Sequence, residues 1–370
     1  MTDFIPVSRP HLTALEEEYV LDAVRSGWVS SLGKYIEDFE AAFAKYCGTK
    51  YALTTSNGTT GLHLALVTAG VGPGDEVIVP DMTFVATANA VAYTGATPVM
   101  VDIQPDTLCI CPAAVRRAIT PRTKLILPVH LYGHPADMDE LSSIAVEHRL
   151  AIIEDAAEAH GAEYKGRRVG GLGLAGVFSF YGNKIITTGE GGMITTNDAD
   201  FYNRAVFLRD QAMSKEKRYW HDMMGFNYRI TNIQAALGLA QMKSIDAMLL
   251  RREEILALYR QAIETSDSVR LNFTANWAKS AYWMICLEVD AFDDQKRAGF
   301  MQRMKKRGID TRPYFYPMTA FPMYRNKTPP NVAAKSVIGI NLPTYHQLSS
   351  ADIARIGTAV NEELRDLSAR

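Results

Sequence analysis

The chain has 370 residues, of which 47% are hydrophobic and 22% are charged, and its formal net charge is -2. This composition is typical of a globular protein and excludes a disordered or fibrous chain. A net charge so close to zero provides no overall field for a polyanion, so we expect neither a nucleic-acid nor a membrane partner. The N-terminal sequence has no basic segment followed by an apolar one, and no uncharged apolar run approaches membrane-spanning length, so we expect a cytoplasmic location.

The first part of the chain predicts a helix followed by an α/β domain. Thr13 and Glu16 have the spacing of a capping box, at the start of a helix that should end near Gly27. From residue 51 onward, apolar runs alternate with helix-like segments, and they predict strands buried on both faces of a mostly parallel sheet. The runs are YALTT, EVIVP, TPVMVD, KLILPVH, LAIIED, GVFSF and GGMITT. Ligands of such sheets bind beyond the carboxyl ends of the strands.

The second part of the chain predicts a smaller domain. A long helical segment after residue 232 connects to short strands and two further helices, which is typical of an α+β unit. Because a chain of 370 residues is longer than a single hydrophobic core usually supports, we predict two domains. The division is a large α/β domain over 31–250 and a small α+β domain over 251–370, with an N-terminal helix segment, 1–30, associated with the small domain.

Lys184 lies in the sequence FSFYGNKIITTGEGGMITT, among apolar residues, glycines and threonines. An amine in an apolar setting loses hydration of its charged form, so its pKa falls and a nucleophilic fraction appears near neutral pH. This setting favours Schiff-base chemistry. A single lysine more commonly extends from a strand end to solvent, so the functional interpretation depends on its neighbours.

Asp155 ends the predicted buried strand LAIIED. A carboxylate there could keep a pyridinium nitrogen protonated, which makes pyridoxal phosphate (PLP) an electron sink. An acidic strand end can also be a capping residue or a metal ligand. We expect no metal, because the histidines form no HExxH pattern and because His130 and His134 lie around Gly133 and before Pro135, hence not on one helix face.

A phosphate site is predicted where the strand YALTTS runs into Asn57, Gly58 and Thr59 before a helix-like segment. A helix N-terminus offers unpaired N–H groups and a positive dipole end. Gly58 allows close approach of the backbone, and Thr59 and Ser179 can add hydroxyl donors. A plain N-cap is the alternative. Phe84, in the loop after EVIVP, could stack on a flat cofactor or belong to the core.

The segment GLGLAG, residues 171–176, matches the GxGxxG pattern of dinucleotide-binding proteins. It precedes the strand GVFSF and opens no helix, whereas that fingerprint follows a strand and delivers the pyrophosphate to a helix N-terminus. We therefore predict no NAD site here.

A set of motifs along nearly the whole chain resembles the DegT/DnrJ/EryC1/StrS aminotransferases. The motifs are NGTTGLHLAL, PGDEVIVP, PVHLYGH, IIEDAAEAHGA, SFYGNKIITTGEGGMITT, GFNYRITNIQAA and NLPTYHQL. Members of this family are PLP enzymes of fold type I, the aspartate-aminotransferase type, and they aminate nucleotide-linked keto sugars. The resemblance implies this fold, PLP as the cofactor and L-glutamate as the amino donor.

The resemblance also implies roles for individual residues. Lys184 would carry the cofactor as a Schiff base, and Asp155 would pair with the pyridine nitrogen. The other implied cofactor contacts are Glu158 near the ring hydroxyl, Phe84 on the ring face, and Gly58, Thr59 and Ser179 at the phosphate.

Four further residues are implied at the periphery of this site. Asn227 would reach the phosphate from a neighbouring subunit, which makes the active unit a homodimer with shared active sites. Arg229 and Trp28 are similar to residues on the substrate side, and Tyr316 would face the nucleotide sugar from the small domain.

Within the family, WVSSLGKYIEDFE, RYWHDMMGFNYR and TRPYFYPMTAFPMY are most similar to enzymes that aminate C4 of GDP-4-keto-6-deoxy-D-mannose, a step toward polysaccharides such as O-antigen. Lysine at 184 favours amino transfer, since a sister group of dehydratases has histidine there. Thr319 stands where histidine is usual and His160 where an apolar residue is usual. A UDP- or dTDP-linked sugar, or amination at C3, therefore remains an alternative. Two separate alternatives are a non-transferring enzyme of this fold, such as a 3-dehydratase or an epimerase, and a non-catalytic sugar-nucleotide-binding protein.

Overall fold

The structure, a computed structural model, describes residues 4–368. Its helices are α1 (Ala14–Arg25), α2 (Lys34–Cys47), α3 (Gly58–Thr68), α4 (Ala86–Tyr93), α5 (Pro112–Ala118), α6 (Met138–His148), α7 (Ala199–Arg209), α8 (Asn232–Met242), α9 (Ile245–Ala262), α10 (Asp294–Lys306), α11 (Pro330–Ile338) and α12 (Ser350–Ser368). Its strands are β1 (Tyr51–Thr55), β2 (Glu76–Pro80), β3 (Thr97–Val101), β4 (Thr123–Ile126), β5 (Ala151–Asp155), β6 (Glu163–Tyr164), β7 (Arg167–Arg168), β8 (Ala175–Ser179), β9 (Gly192–Thr196), β10 (Val269–Leu271), β11 (Ala278–Lys279), β12 (Ile285–Val289), β13 (Arg312–Pro313) and β14 (Gly339–Leu342).

The large sheet contains a strand from each of the predicted apolar runs, in the order β1-β9-β8-β5-β4-β2-β3. Neighbouring strands from β8 to β3 run parallel, and β9 alone runs opposite to both of its neighbours. The mostly parallel sheet is therefore as predicted. The strands β1, β2, β5 and β8 all end at one edge of it.

Side chains of this sheet alternate between two apolar layers, as the period of a strand requires. In β2, for example, Val77 and Val79 join the core under α3, α4 and α7, whereas Ile78 joins the core under α2, α5, α6 and α8. Both faces are thus covered by helices, which explains why the strands read as continuous apolar runs.

A second sheet, β10-β12-β14-β13, is antiparallel and packs with α10, α12 and the second half of α9 around its own core. Met248, early in α9, belongs to the core of the large sheet, and Ile255 belongs to the core of the small one. This separation supports the division near residue 250, which we keep as a proposal.

The N-terminal segment contacts both units. Ile5 pairs with Ile309 and joins the small core, while α1 lies against α8, where Gln241 donates a hydrogen bond of 2.6 Å to Glu16. The predicted capping box is present at Thr13. Residues 1–3 and 369–370, at the outer ends of the predicted N-terminal and small-domain segments, lie outside the described residues.

Candidate active site

A cavity of about 390 Å³ lies at the edge where the parallel strands end. We call it the edge cavity, and it is lined by Asn57, Gly58, Thr59, Leu62, Thr83, Phe84, Ala86, Thr87, Val129, Asp155, Ala157, Glu158, Ser179, Tyr181, Asn183, Lys184, Glu190, Trp283 and Phe315. Its position matches the prediction that ligands bind beyond the carboxyl ends of the strands. The structure also brings together every predicted cofactor residue except Asn227.

Lys184 is held by the loop that follows β8. Thr187 donates its hydroxyl to the Phe180 carbonyl at 2.9 Å, and Thr188 donates its hydroxyl to the Glu190 carbonyl at 2.6 Å. Gly189 then takes a left-handed φ of +82°, which glycine adopts without strain. The threonines and glycine of the motif thus fold the loop that presents Lys184 to the cavity.

The Lys184 ammonium has two close partners in the edge cavity. Its Nζ lies 3.7 Å from Glu158 Oε1 and 3.9 Å from the ring centroid of Trp283, and its side chain is 11% exposed. Burial lowers the pKa of Lys184, and the charges of Glu158 and Asp155 oppose this effect. Burial raises the pKa of Glu158 to about 7, against the opposing charge of Lys184. Burial thus moves the pKa values of Lys184 and Glu158 toward each other, and the attraction between the two charges opposes both shifts.

Asp155 is fixed at the end of β5 by two hydrogen bonds. The Thr87 hydroxyl donates to Oδ2 at 2.8 Å, and the Ala157 amide donates to Oδ1 at 3.2 Å. Burial raises the pKa of Asp155, and these hydrogen bonds and the Lys184 charge oppose it. A cation bound beside this carboxylate would further favour its ionised form.

Several residues that line the edge cavity were not predicted from the sequence, and three of them have a clear place in the site. Thr87, on α4, holds Asp155; Trp283 and Phe315 come from the part of the chain that follows α9, and both line the edge cavity. In the sequence, the aromatic residues of YWMIC and RPYFYP are as consistent with core side chains as with site residues. Only the tertiary fold shows that two of them line the cavity.

The start of α3 forms one end of the edge cavity. Asn57 caps the helix by accepting the Thr60 amide at 2.8 Å, so the cap does not use the amides of Gly58 and Thr59. These amides and the Ser179 hydroxyl surround a space suited to an anion. A Cβ added at Gly58 would lie 2.9 Å from Ser179 Cβ, so this close approach depends on glycine.

The four peripheral residues do not line the edge cavity of their own chain. Trp28 and Tyr316 are half exposed, and Tyr316 follows the cavity residue Phe315. Asn227 is exposed, while Arg229 pairs with Asp210 at 3.0 Å. Their roles remain predictions.

The two departures from the family pattern lie behind the edge cavity. His160 is fully buried between Phe178 and Phe180, and burial lowers its pKa to about 3. Thr319 donates its hydroxyl to Asp81 at 2.7 Å and its amide at 2.8 Å. Neither side chain lines the edge cavity, although His160 lies beside the backbone of Ser179, which does.

The GxGxxG segment has a partner within the chain. The buried Glu154 carboxylate accepts the amides of Gly170, Leu172 and Gly173 at 2.7 to 2.9 Å, and His130 Nε2 lies 3.0 Å from it. These amides therefore bind a side-chain anion next to Asp155, and they help to fix the end of β5.

Within residues 4–368, no cluster of three or more histidine, cysteine, aspartate and glutamate side chains has the arrangement of a metal site. None of the helices in this described part has the length and apolar character needed to cross a membrane.

Comparison with known proteins identifies the family. The DegT/DnrJ/EryC1/StrS aminotransferase family model matches residues 10–361. The chain is 46% identical over 364 residues to GDP-perosamine synthase of Caulobacter vibrioides, covering 97% of this chain and 98% of the relative. It is 42% identical to GDP-perosamine synthase of Escherichia coli O157:H7, covering 98% and 99%. The solved structure of Spr1654 from Streptococcus pneumoniae in its PLP form has a TM-score of 0.94 at 28% identity, covering 98% of this chain and 99% of that one.

The chain belongs to the DegT/DnrJ/EryC1/StrS aminotransferase family. It is a PLP-dependent aminotransferase of fold type I, as the sequence motifs predicted. The edge cavity of this aminotransferase fits the cofactor. It offers an amine for an aldehyde, buried carboxylates for a cationic ring, and a glycine-opened helix N-terminus for a phosphate.

Replacing Gly58 with alanine should weaken cofactor binding without unfolding the aminotransferase. The new methyl group would displace Ser179 or the first turn of α3, and we expect the Kd for PLP to rise by about tenfold, equivalent to about 1.4 kcal/mol. Titrating the apoprotein with PLP and following absorbance measures this Kd. Gly72→Ala is the matched control, because nothing lies within 4 Å of its added Cβ. Equal affinities for both variants and the unaltered protein would contradict the prediction.

Proposed function

We propose that this aminotransferase converts the 4-keto group of GDP-4-keto-6-deoxy-D-mannose into an amine, with L-glutamate as the donor, and so forms GDP-perosamine. The observation that carries the proposal is the 46% identity to a GDP-perosamine synthase over nearly the full length of both chains. A lysine in the edge cavity supports amino transfer rather than dehydration. We further propose that the enzyme works in the cytoplasm on precursors of a polysaccharide such as O-antigen.

The residues of the edge cavity would hold the cofactor at five places. Lys184 would bind its aldehyde carbon, Asp155 would keep its ring nitrogen protonated, and Glu158 would lie near its ring hydroxyl. The phosphate would be held by Gly58, Thr59 and Ser179, and the ring face would be covered by Phe84. When bound, PLP supplies an electron-accepting ring that stabilises negative charge on the reacting carbon of the substrate.

Lys184 Nζ would be the base that removes and returns a proton at the reacting carbon of each substrate. Its lowered pKa increases the fraction of neutral amine available near pH 7. Glu158 Oε1, 3.7 Å away, has a pKa near 7 and can hold a proton for Nζ. Trp283 and Phe315 would exclude water from this exchange on the small-domain side.

The two departures from the family pattern support an unchanged substrate. Neither residue lines the edge cavity: His160 packs on Phe178 and Phe180 beside the Ser179 backbone, and Thr319 binds Asp81. A specificity change through either residue would have to act indirectly.

The substrate proposal predicts a preference for the guanine nucleotide. With glutamate as donor, the holoenzyme should convert GDP-4-keto-6-deoxy-D-mannose with a kcat/KM at least about tenfold above those of UDP- and dTDP-linked 4-keto-6-deoxy sugars, a difference of about 1.4 kcal/mol in transition-state binding. Mass spectrometry identifies the amine, and NMR identifies the aminated carbon.

The Lys184→Ala variant is the control for this experiment, since it should give no amino sugar. A kcat/KM for a UDP- or dTDP-linked sugar that equals or exceeds the value for the GDP-linked sugar, or amination at C3, would overturn the substrate and retain the reaction class. A 3-deoxy keto sugar formed in place of the amino sugar, with glutamate oxidised to 2-oxoglutarate and its nitrogen released as ammonia, would overturn amino transfer to the sugar.

We also propose a homodimer in which Asn227 completes the phosphate site of the partner subunit. Asn227 is exposed and does not line the edge cavity of its own chain, although the neighbouring Tyr228 carbonyl accepts the Ser56 amide at 2.8 Å. The preceding segment exposes large apolar side chains, which is typical of a surface that a partner covers. These are Tyr219, Trp220, Met223 and Met224.

Hybrid dimers test this arrangement. Lys184→Ala and Asn227→Ala should each lower activity strongly when alone. If Asn227 serves the partner, random mixing of the two variants gives half hybrids, each with one intact site, and activity should return to about a quarter of the unaltered enzyme. Activity that stays at the sum of the separate variants would show that Asn227 serves its own chain or neither site.

A further inference from the structure

Tyr132 is a buried residue of the PVHLYGH motif that none of the roles above includes. It lies in a 3-10 turn, Leu131–Gly133, between the end of β4 and α6, and it is 3% exposed. It is not among the residues that line the edge cavity. Three of its polar groups nevertheless bind residues that do.

Each of these three hydrogen bonds goes to a different side of the edge cavity. The Tyr132 amide donates to Glu158 Oε2 at 2.8 Å. The Tyr132 carbonyl accepts the Trp283 amide at 3.1 Å, and the phenolic oxygen accepts the Phe315 amide at 3.0 Å. One residue behind the cavity therefore joins the carboxylate beside Lys184 to both aromatic residues that the small domain contributes.

The ring of Tyr132 is fixed as firmly as its polar groups. It stacks on Phe315 with centroids 5.4 Å apart and an interplanar angle of 13°, and on Trp283 at 6.3 Å and 18°. Tyr314 packs against the same ring at 5.1 Å. The phenolic oxygen can therefore not turn away from the Phe315 amide without disturbing the aromatic stack.

The backbone of Tyr132 is in the left-handed region, at φ 53° and ψ 17°. A bulky residue other than glycine adopts this conformation at a cost, and such residues cluster at sites where geometry matters for function. Gly133 follows at φ +99°, and a Cβ added there would lie 2.8 Å from the Tyr282 amide nitrogen. The turn is thus pressed against the small-domain segment that carries Trp283.

We propose that Tyr132 is a positioning residue of the aminotransferase, which keeps Phe315 and Trp283 aligned with the Glu158 and Lys184 pair. It acts through these residues and touches neither substrate nor cofactor. The inference rests on the edge cavity being the site of the proposed reaction. The inference depends most on the hydrogen bond between the phenolic oxygen and the Phe315 amide. Through this bond and the bond from its own amide, Tyr132 joins Phe315 to Glu158.

The test uses Tyr132→Phe in the holoenzyme, which keeps the ring and the backbone bond to Glu158. It removes the phenolic oxygen that accepts the Phe315 amide and that also hydrogen-bonds the Asn341 side chain. Hydrogen exchange followed by mass spectrometry should show the Phe315 amide exchanging about tenfold faster or more. The KM for the keto-sugar nucleotide should rise by about tenfold, with a smaller change in kcat, because a substrate-facing wall has loosened.

Tyr314→Phe is the matched control, since it removes another buried phenolic oxygen from the same stack, one that faces Cys286. It should leave the Phe315 exchange rate and the KM unchanged. Equal effects of both variants, or an unchanged exchange rate or KM in Tyr132→Phe, would overturn the proposal. If Tyr132→Phe does not fold, the unaltered holoenzyme provides the test. Fast exchange of its Phe315 amide would mean that the hydrogen bond to Tyr132 does not protect this amide, and would overturn the proposal.

Failure of the proposed substrate is distinguishable from failure of this inference. The exchange rate of the Phe315 amide needs no turnover, so it reports on the hydrogen bond whichever sugar nucleotide is used. The KM is measured with whichever keto-sugar nucleotide proves to be aminated.

Discussion

The structure depends on keeping one amine out of water without losing its reactivity. Removing an ammonium from water costs several kcal/mol, and a carboxylate 3.7 Å away returns about 4 kcal/mol at an effective dielectric constant of about 20. Burial lowers the pKa of Lys184 and raises that of Glu158, and the attraction between the two charges opposes both shifts. Asp155 adds a second negative charge that suits a cationic ring.

The rest of the fold holds these three groups in place. Parallel strands end at one edge, so the residues after β1, β5 and β8 meet there although they are far apart in sequence. Glu154, one residue before Asp155, uses its buried carboxylate to bind three loop amides and His130, which fixes the strand end from the opposite face. Trp283 and Phe315, from the part of the chain after α9, line the edge cavity as well, and Tyr132 joins both to Glu158.

Much of this site could be predicted because its signals are local. Strand ends, a helix start and a lysine motif are encoded in contiguous residues, and all the predicted cofactor residues from Gly58 to Lys184 line the edge cavity. Thr87, Trp283 and Phe315 could not be predicted, since their place depends on tertiary packing. Residues 232–264 were predicted as one helical segment, yet the structure divides them at 243–244 into α8 and α9. The proposed role of Asn227 depends on a second subunit, so the contacts within one chain do not reveal it.

The most direct measurement of the central claim is reduction of the holoprotein with sodium borohydride, followed by digestion and mass spectrometry. The account predicts a pyridoxyl group fixed to the peptide that contains Lys184, and none in Lys184→Ala. A pyridoxyl group on another lysine, or no covalent attachment in a protein that still holds the cofactor, would contradict it.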